Sequence, residues 1–576
     1  MKQSGRSRGF RALAFVVLAI ATTARAASVA PVAAENGMVV SAQHLATRVG
    51  VDVLKSGGNA IDAAVAVGYA LAVVYPAAGN LGGGGFMTIQ LADGKRTFLD
   101  FREKAPLAAK PDMYLDKDGN VIKGASTKSH LAVGVPGTVS GMEYARAKYG
   151  TMKRADLIAP SVRFAEEGFV LEQGDVNLLV TATDDFRKDP ATAAIFLNRD
   201  QPWRVGDRLV QKDLARTLRG ISERGTDGFY KGDVATAIVK SSQAVGGILT
   251  QADLDQYKTR ELAPIECDYR GLHVVSAPPP SSGGVVICEV LNILEGYPLR
   301  ELGFHSAQAV HYQIEALRHA YVDRNSYLGD PDFVKNPIDR LTSKAYAGQI
   351  RAVIDPSKAG VSKDLKPGVP PHEGTNTTHY SIVDRWGNAV GVTYTLNDWF
   401  GARVTAAGTG VLLNDEMDDF TVKVGVPNLY GLVQGEANSI APGKRPLSSM
   451  SPTIVTRDGK PVLVLGSPGG SRIITAVLLT ILNVVDYDMN LQEAVDAPRF
   501  HQQWLPEATN VENFALSPDT RKILEGMGHK LAGPQPPNHV TAVLVGAPSL
   551  NGKPVGANRY YGANDPRRDT GLALGY

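Results

Sequence analysis

Residues 375–397 read Thr-Asn-Thr-Thr-His-Tyr-Ser-Ile-Val-Asp-Arg-Trp-Gly-Asn-Ala-Val-Gly-Val-Thr-Tyr-Thr-Leu-Asn. β-Branched and aromatic residues fill both halves of this stretch, and Trp386-Gly387 lies between them as a tight turn. The stretch therefore predicts a β-hairpin whose first strand opens with Thr377 and Thr378. The preceding residues, 355–376, are rich in proline and glycine and lack a hydrophobic period, which predicts a long loop that ends at the threonine pair.

The length of the turn decides which residues of the hairpin face each other. A two-residue turn at Trp386-Gly387 places Thr378 opposite Thr395 and Thr377 diagonal to Thr395. A second hydroxyl is then expected within reach of the Thr377 side chain. The alternative is an ordinary threonine-rich hairpin, because strands favour threonine in any case.

A threonine at the head of a strand gains a chemical role if the peptide bond before it is cut. The new α-amino group, with a pKa of ~7.7–8, would lie on the same residue as the hydroxyl and accept its proton. The pattern therefore suggests self-cleavage before Thr377, followed by use of the Thr377 hydroxyl as a nucleophile. The competing serine-hydrolase motif, Gly-x-Ser-x-Gly, does not occur in the chain.

The first 26 residues have the layout of a secretory signal peptide. Basic residues precede an apolar run that starts at Ala12, and Ala24-Arg25-Ala26 supplies a small-x-small cleavage site. This run is too short to span a membrane, and no later apolar run is both long and uninterrupted enough to do so. We therefore expect an exported protein without a membrane anchor.

The formal charge argues against binding to polyanions. The chain carries 60 basic and 58 acidic residues, and five of the basic ones lie in the first 26 residues. The rest of the chain has 55 basic and 58 acidic residues, a net charge of −3. Because no basic surplus remains, we expect no binding to nucleic acid or to anionic lipid.

About 550 mature residues exceed one ordinary hydrophobic core, so we expect several subdomains or one large multilayer α/β unit. Asn59 is placed to cap a helix that begins at residue 60. Segments 86–91 and 97–101 predict a second hairpin. Helical patterns dominate residues 140–350, and the chain then continues with strands and an apolar helix at 473–485.

Neither the cysteines nor the histidines give a metal signature. Cys267 and Cys288 permit one disulfide bond in an oxidising compartment, but Cys288 lies in an apolar stretch and is better explained as a small core residue. His311, Glu315 and His319 share one face of a predicted helix over 308–321. Because no His-Glu-x-x-His motif is present, we interpret this face as solvated and polar rather than metal-binding.

Two glycine-rich segments, Gly82 to Gly85 and Gly469-Gly470, invite comparison with phosphate-binding loops. Neither is followed by the Lys-Ser/Thr of a P-loop, and neither has the spacing of a dinucleotide-binding motif. Adjacent glycines at a strand-to-helix junction can present bare N–H groups to an oxyanion. A tight turn explains Gly82 to Gly85 at least as well.

Several motifs occur in a fixed order along the chain. They are Asp-Phe-Arg-Glu-x-Ala-Pro (100–106), Pro-Pro-Pro-Ser-Ser-Gly-Gly (278–284), Thr-Thr-His-Tyr-Ser (377–381), Thr-Tyr-Thr-Leu-Asn (393–397), Leu-Leu-Asn-x-x-Met-Asp-Asp-Phe (412–420), Lys-Arg-Pro-Leu-Ser-Ser-Met-Ser-Pro (444–452), Gly-Ser-Pro-Gly-Gly-Ser (466–471) and Gly-Ala-Asn-Asp-Pro-Arg (562–567). Together they resemble the motifs of γ-glutamyltranspeptidases, over nearly the whole mature chain. The similarity is greatest to bacterial periplasmic members of that family.

The resemblance implies an N-terminal-nucleophile hydrolase fold of the α/β (α+β) class. This fold is a four-layer αββα sandwich, in which two stacked antiparallel sheets lie between helical layers. The resemblance also implies autocleavage between Asn376 and Thr377 into a large subunit, 27–376, and a small subunit, 377–576, that stay together as a heterodimer. A periplasmic or secreted location is expected, and neither a cofactor nor a metal ion is implied.

The resemblance further assigns roles to matching residues around the nucleophile. Thr377 would act first in self-cleavage and then in catalysis, with Thr395 assisting it by a hydrogen bond. Gly469 and Gly470 would donate N–H groups to the oxyanion. Residues 424–435, including Tyr430, correspond to a lid loop over the pocket.

A second set of matching residues would bind the zwitterionic end of a γ-glutamyl substrate. Arg102 would pair with the α-carboxylate through its fork of N–H groups, assisted by Ser448 and Ser449. The residues that would hold the α-ammonium group are Asn397, Glu416 and Asp419.

The implied reaction is attack of the Thr377 hydroxyl on the γ-amide of glutathione or of another γ-glutamyl compound. The γ-glutamyl group would then pass to water or to an acceptor amino acid or dipeptide. One alternative is a cephalosporin (glutaryl) acylase of the same superfamily, but a glutaryl chain has no ammonium group for Glu416 and Asp419 to bind. A second alternative is a periplasmic binding protein that stays one chain.

Overall fold

The computed structural model of the chain describes residues 28–199, 201–365, 377–423, 435–534 and 538–576. The predicted signal peptide, Asn376 and Tyr430 lie outside these residues, so the expectations about them stay predictions. None of the helices in the described ranges is long and apolar enough to cross a membrane.

Helices and strands alternate along the described ranges. The strands are β1 (Val32–Ala34), β2 (Met38–Ser41), β3 (Gly84–Gln90), β4 (Arg96–Phe101), β5 (Phe169–Val170), β6 (Arg208–Leu209), β7 (Arg260–Leu262), β8 (Ile265–Tyr269), β9 (Leu272–Ser276), β10 (Thr377–Val383), β11 (Ala389–Thr395), β12 (Thr405–Ala406), β13 (Val411–Leu412), β14 (Thr453–Arg457), β15 (Lys460–Gly466), β16 (Phe500–His501), β17 (Thr509–Val511), β18 (Leu531–Ala532), β19 (Thr541–Val545), β20 (Tyr560–Asn564) and β21 (Leu572–Gly575). The helices are α1 (His44–Lys55), α2 (Ala60–Val74), α3 (Thr138–Tyr149), α4 (Arg154–Glu167), α5 (Gln173–Phe186), α6 (Pro190–Phe196), α7 (Lys212–Arg224), α8 (Asp227–Tyr230), α9 (Gly232–Ala244), α10 (Gln251–Asp255), α11 (Gly283–Leu294), α12 (Leu299–Leu302), α13 (Ala307–Tyr327), α14 (Ile338–Leu341), α15 (Lys344–Val353), α16 (Arg472–Val485), α17 (Leu491–Asp496) and α18 (Pro518–Gly526).

Two seven-stranded antiparallel sheets form the centre of the molecule. Sheet I has the order β21-β2-β10-β11-β3-β4-β7, and sheet II has the order β1-β20-β19-β15-β14-β9-β8. Strands β10 and β11 of sheet I lie against β15 of sheet II, so the sheets are stacked face to face. Helices α1 and α2 cover sheet I, and α11 and α16 cover sheet II. The predicted αββα sandwich, the N-terminal-nucleophile hydrolase architecture, is confirmed.

Apolar side chains fill all three spaces between these layers. All 15 residues of α2 are buried, because this helix lies between sheet I and the neighbouring helices α1 and α4. As predicted, Asn59 caps it: its side chain accepts a hydrogen bond from the Asp62 amide, and Asp62 accepts one from the Asn59 amide. Between the two sheets, Val40, Ile454 and Val543 belong to one apolar cluster. Sheet I is therefore held in place from both sides.

The hairpin forms as predicted, but the predicted register is wrong by one residue. Thr377 lies directly opposite Thr395, rather than diagonal to it. The turn is longer than expected, because the Asp384 side chain accepts hydrogen bonds from the amides of Trp386 (2.9 Å) and Asn388 (3.0 Å). Three residues consequently separate Asp384 from Asn388, and every pair along the hairpin shifts by one.

The predicted solvated face of the helix near residue 311 is also wrong. His311 and Glu315 are buried in α13, with exposed fractions of 0% and 3%. His311 contacts the backbone of Asp355 and the side chain of His529, both of which are distant in sequence. From sequence alone, a polar helix face is interpreted as exposed to solvent, because the sequence does not show which distant segments pack against it.

Cys267 of β8 and Cys288 of α11 form a disulfide bond, although the sequence favoured a simple core position for Cys288. Both descriptions apply to Cys288, which is fully buried and bonded. Because α11 packs on β8, the bond joins sheet II to the helix that covers it.

Loss of this disulfide is expected to destabilise the protein without changing the fold. Closing a loop between residues 21 positions apart restricts the unfolded chain, and this effect contributes about 3 kcal/mol. The variant Cys267→Ser should lose about this much unfolding free energy in a denaturant titration. A reductant should lower the stability of the wild type by the same amount and leave Cys267→Ser unchanged. Equal sensitivity of both proteins to the reductant would contradict this assignment.

Candidate active site

Thr377 is the first described residue of β10, an inner strand of sheet I, and lies at the end of that strand. Its exposed fraction is 5%, and that of Thr395, directly across the hairpin, is 2%. The Thr395 hydroxyl accepts a hydrogen bond of 2.8 Å from the Asn397 amide, and the Thr395 carbonyl accepts one of 2.9 Å from the Asn80 side chain. Thr377 and Thr395 thus lie at the same end of the hairpin, and two hydrogen bonds hold Thr395 in place.

The glycine run that begins at Gly82 allows other chain segments to approach Thr395. A Cβ atom on Gly83 would lie 2.0 Å from the Thr395 carbonyl oxygen, so no larger residue fits there. Gly84 and Gly85 belong to strand β3 rather than to a turn. Close backbone approach, and not a tight turn, therefore explains this run.

A cleft opens beside Thr377. It is lined by Arg102, Thr377, Thr395, Asn397, Glu416, Asp419, Ser448, Ser449, Met450, Gly470 and Ile473. Every site residue predicted from the sequence and present in the described ranges lines this cleft, except Gly469. Met450 and Ile473 were not predicted, because single apolar residues carry no sequence signal for a site.

Gly469 and Gly470 form the junction between β15 and α16. Their φ angles are +126° and +60°, a backbone region that side chains disfavour, and the value at Gly469 is one that glycine alone adopts readily. Gly470 lines the cleft, whereas Gly469 packs against Asn538, which a Cβ atom would approach to 2.5 Å. The junction also precedes the first turn of α16, where unpaired N–H groups favour negative charge.

Arg102 is the positive centre of the cleft and is 1% exposed. Its guanidinium group donates short hydrogen bonds to Glu416 and Asp419, and its Nε atom donates one of 3.3 Å to the Pro446 carbonyl. Burial alone would lower the pKa of Arg102, but the two carboxylates outweigh it and raise the pKa above its usual value. The site thus contains one fixed cation and an excess of carboxylates in contact with it.

Glu103 contributes a further carboxylate that the sequence interpretation missed. It is fully buried, and one of its oxygens lies 3.7 Å from Nη1 of Arg102. Burial raises the pKa of Glu103 to about 7, although Arg102 acts in the opposite direction. The sequence feature that could have revealed Glu103 is its position directly after Arg102 in the motif at 100–106.

Ser448 and Ser449 are held by residues outside the cleft. The Ser282 amide donates a hydrogen bond of 2.7 Å to the Ser448 carbonyl. The buried Arg324 of α13 donates one of 2.9 Å to the Ser449 hydroxyl and another of 2.9 Å to the Ser282 hydroxyl. The motif at 278–284 is therefore explained as a support for the serine pair. Arg324 was missed, because a lone arginine in a helix usually lies at the surface.

Comparison with known proteins places this geometry in a family. Residues 46–575 match the family described as Gamma-glutamyltranspeptidase. The chain is 78% identical over 552 residues to the glutathione hydrolase proenzyme of Pseudomonas sp. (strain A14), with 96% of each chain covered. It is 51% identical over 548 residues to the glutathione hydrolase proenzyme of Escherichia coli (strain K12), covering 95% of this chain and 93% of that protein.

A solved structure with the same fold is the cephalosporin acylase from Bacillus halodurans. It superposes with a TM-score of 0.82 at 27% identity, covering 97% of this chain and 99% of the acylase. The fold and the match over nearly the whole chain define an N-terminal-nucleophile hydrolase. This chain belongs to the γ-glutamyltranspeptidase family, as its motifs predicted.

The raised pKa of Glu103 predicts a pH-dependent contribution to stability. The folded-state pKa of about 7 exceeds the ordinary value of 4.5, so the folded protein keeps a proton that the unfolded chain releases. This contribution is fully present below the unfolded-state value and is lost as the pH rises to about 7. The variant Glu103→Gln should lack it, so its Tm relative to that of the wild type should increase from about pH 5 to about pH 8. Parallel Tm-versus-pH curves would show that Glu103 is not the responsible group.

Proposed function

We propose that this protein is a γ-glutamyltransferase and glutathione hydrolase that uses Thr377 as its nucleophile. The main observation is that the Thr377–Thr395 pair and an arginine–carboxylate cluster line the same cleft. The same cleft then carries the reacting hydroxyl and charges of both signs. A γ-glutamyl group has a matching form, with an amide at one end and a zwitterion at the other.

Maturation would begin with the Thr377 hydroxyl itself. Its oxygen attacks the carbonyl carbon of Asn376, the C–N bond breaks, and the peptide becomes an ester with a free Thr377 amine. Water then hydrolyses the ester, which restores the hydroxyl and yields chains 27–376 and 377–576. The two chains stay together as a heterodimer, because β10 pairs with β2 of the large subunit and β11 with β3.

Substrate binding would replace contacts that the cleft residues make with one another. Arg102 pairs with the α-carboxylate, together with the hydroxyls of Ser448 and Ser449. Glu416 and Asp419 turn from Arg102 to the α-ammonium group, and the side chain of Asn397 supports them. Each buried charge therefore keeps a partner of opposite sign throughout binding, which limits the desolvation cost.

The transfer reaction follows from the free amine of Thr377. The amine accepts the hydroxyl proton while the oxygen attacks the γ-carbonyl carbon, and Gly469 and Gly470 donate N–H groups to the oxyanion. The C–N bond breaks, the ammonium group protonates the departing amine of cysteinylglycine, and a γ-glutamyl ester of Thr377 remains. Water, an amino acid or a dipeptide attacks this ester and releases the product, with Thr395 holding the nucleophile in position.

Two further elements of the proposal concern regions outside the described residues. The signal peptide directs the chain to the periplasm or to the exterior, where glutathione and acceptor amino acids or dipeptides would be its small-molecule partners. In this proposal Tyr430 would act as the lid residue that shields the ester from water. The chemistry proposed above needs neither a cofactor nor a catalytic metal ion.

Self-cleavage can be tested by N-terminal sequencing of the purified protein. The wild type should yield a fragment beginning Thr377-Thr378-His379, and Thr377→Ala should stay full length and inactive, because it lacks the attacking oxygen. Thr378→Val is a matched control: the Thr378 hydroxyl is buried without a hydrogen-bond partner in the described structure, so cleavage should persist. Efficient cleavage of Thr377→Ala, or a single unprocessed wild-type chain, would refute the mechanism.

A glutaryl acylase is the second candidate, favoured by the structural similarity to a cephalosporin acylase. The two functions differ in whether the α-ammonium group is recognised. We expect kcat/KM for γ-glutamyl-p-nitroanilide to exceed that for glutaryl-p-nitroanilide by about 100-fold or more, because the glutaryl compound leaves buried carboxylates unpaired.

The variant Asp419→Asn should lower kcat/KM for γ-glutamyl-p-nitroanilide more than kcat/KM for glutaryl-p-nitroanilide, so the ratio of the two values should decrease. The control Asp398→Asn changes a carboxylate that pairs with Arg403 and does not line the cleft, so it should keep the preference. Equal or faster turnover of the glutaryl compound by the wild type would favour the acylase.

A further inference from the structure

Three side chains with metal-binding atoms lie close to one another in space, and none of them lines the cleft. His311 and Glu315 lie one turn apart on α13, and His529 follows α18. One ligand atom from each residue lies within 4.8 Å of the other two, and all three residues are buried. The sequence had grouped His311 and Glu315 with His319, whereas the structure replaces His319 by a residue more than 200 positions away.

The hydrogen bonds of His311 determine which of its nitrogens carries the proton. Its Nε2 atom lies 2.8 Å from the Asp355 carbonyl oxygen, which can only accept, so the proton is on Nε2. Nδ1 therefore presents a lone pair, and it lies 2.8 Å from Nε2 of His529. Two lone pairs cannot face each other at this distance, so in this arrangement Nε2 of His529 carries a proton and donates it to Nδ1 of His311.

Metal-binding histidines commonly have this second hydrogen bond. Donation of the other ring N–H to a backbone carbonyl fixes the tautomer and aims the lone pair at the metal. The Asp355 carbonyl provides such a contact for His311. His529 lacks the corresponding contact, because its Nδ1 is buried and has no hydrogen-bond partner in the described ranges, so the second hydrogen bond is present for His311 alone.

The surrounding charges suit a divalent cation. Arg318 is the neighbouring cation; its Nε atom lies 3.3 Å from Glu315, and it also forms an ion pair with Glu507. Two carboxylates thus surround one guanidinium group, which leaves one net negative charge beside the two imidazole rings.

We propose that His311, Glu315 and His529 form a structural binding site for a divalent zinc-type metal ion. Two imidazole nitrogens and one carboxylate are a ligand set that zinc prefers, with a fourth position for water. Nδ1 of His311 and Nε2 of His529 bind the ion, and the proton on His529 moves from Nε2 to Nδ1. With Zn–N bonds of ~2.0–2.1 Å, the two nitrogens must separate to about 3.3 Å, a small shift for a residue outside any helix or strand.

The location of the site gives the ion a role in assembly. If the chain is cut before Thr377 as proposed above, His311, Glu315 and the Asp355 carbonyl belong to the large subunit. His529 belongs to the small subunit, so the ion would join the two chains. It would also hold the segment around Asp355, which lies shortly before the proposed end of the large subunit.

Zinc titration of the tag-free, metal-stripped protein tests the site directly. The wild type should bind one equivalent, and one equivalent of cobalt should give the visible absorption band of tetrahedral Co²⁺. At zinc concentrations about 100-fold above Kd, its Tm should rise by roughly 2 °C. His529→Ala should bind zinc at least about 100-fold more weakly and lose both the Tm rise and the cobalt band.

The control is His319→Ala, which removes a histidine of the same helix outside the three-residue cluster and should keep all three signals. His529→Gln serves as a second variant if the alanine variant does not fold, because it keeps a polar side chain and should also lose the cobalt band. The full-length Thr377→Ala protein should bind zinc like the wild type, so a failure of the proposed self-cleavage does not affect this test. No binding, or equal binding by wild type and both His529 variants, would overturn the proposal.

Discussion

The pairing of β10 with β11 and β2 is the constraint on which the rest of the structure depends. Thr377 is the first residue of a strand that pairs with β11 from Thr377 onward and with β2 from Tyr380 onward. Its position relative to Thr395 is thus set by a backbone ladder rather than by flexible side chains. Helix α2 packs behind this ladder and sheet II packs in front of it, so the end of β10 has little freedom to move. A reacting group at this position is oriented before any substrate arrives.

The charged residues of the cleft follow a different physical rule. Arg102, Glu416 and Asp419 are largely removed from water, and each would be unfavourable there without the others. Their mutual contacts give each of these three charges a partner of opposite sign. A ligand with only one charge would leave one of these groups unpaired, so the cluster favours ligands that carry both signs. Selectivity then arises from the penalty on incomplete partners as much as from attraction.

Local sequence signals predicted those features that depend on local chemistry. The hairpin, the Asn59 cap and the glycine junction at Gly469 each follow from a few adjacent residues. The register did not follow, because two hydrogen bonds to the Asp384 side chain lengthened the turn by a residue.

Features that depend on distant contacts were missed. The burial of His311 depends on Asp355 and His529, and the role of Arg324 depends on Ser449. No periodicity within one helix reveals such partners, since they lie in other parts of the chain. The set of residues at the cleft was predicted only because several motifs matched one family in the same order, which carries information about three-dimensional proximity that single motifs lack.

The strand order has a consequence for how such a molecule can be made. Sheet I combines three strands that lie at or after Thr377 (β21, β10 and β11) with four that precede it (β2, β3, β4 and β7). In sheet II, strands β20, β19, β15 and β14 lie between β1 on one side and β9 and β8 on the other. Neither part of the chain could complete a sheet alone, so each part needs the other, and a continuous polypeptide keeps the two parts at a high effective concentration while they pair. A cut before Thr377 would then make unfolding hard to reverse. The native arrangement would persist because of its unfolding barrier. If denaturation separated the two chains, they would lack the covalent connection that had guided their assembly.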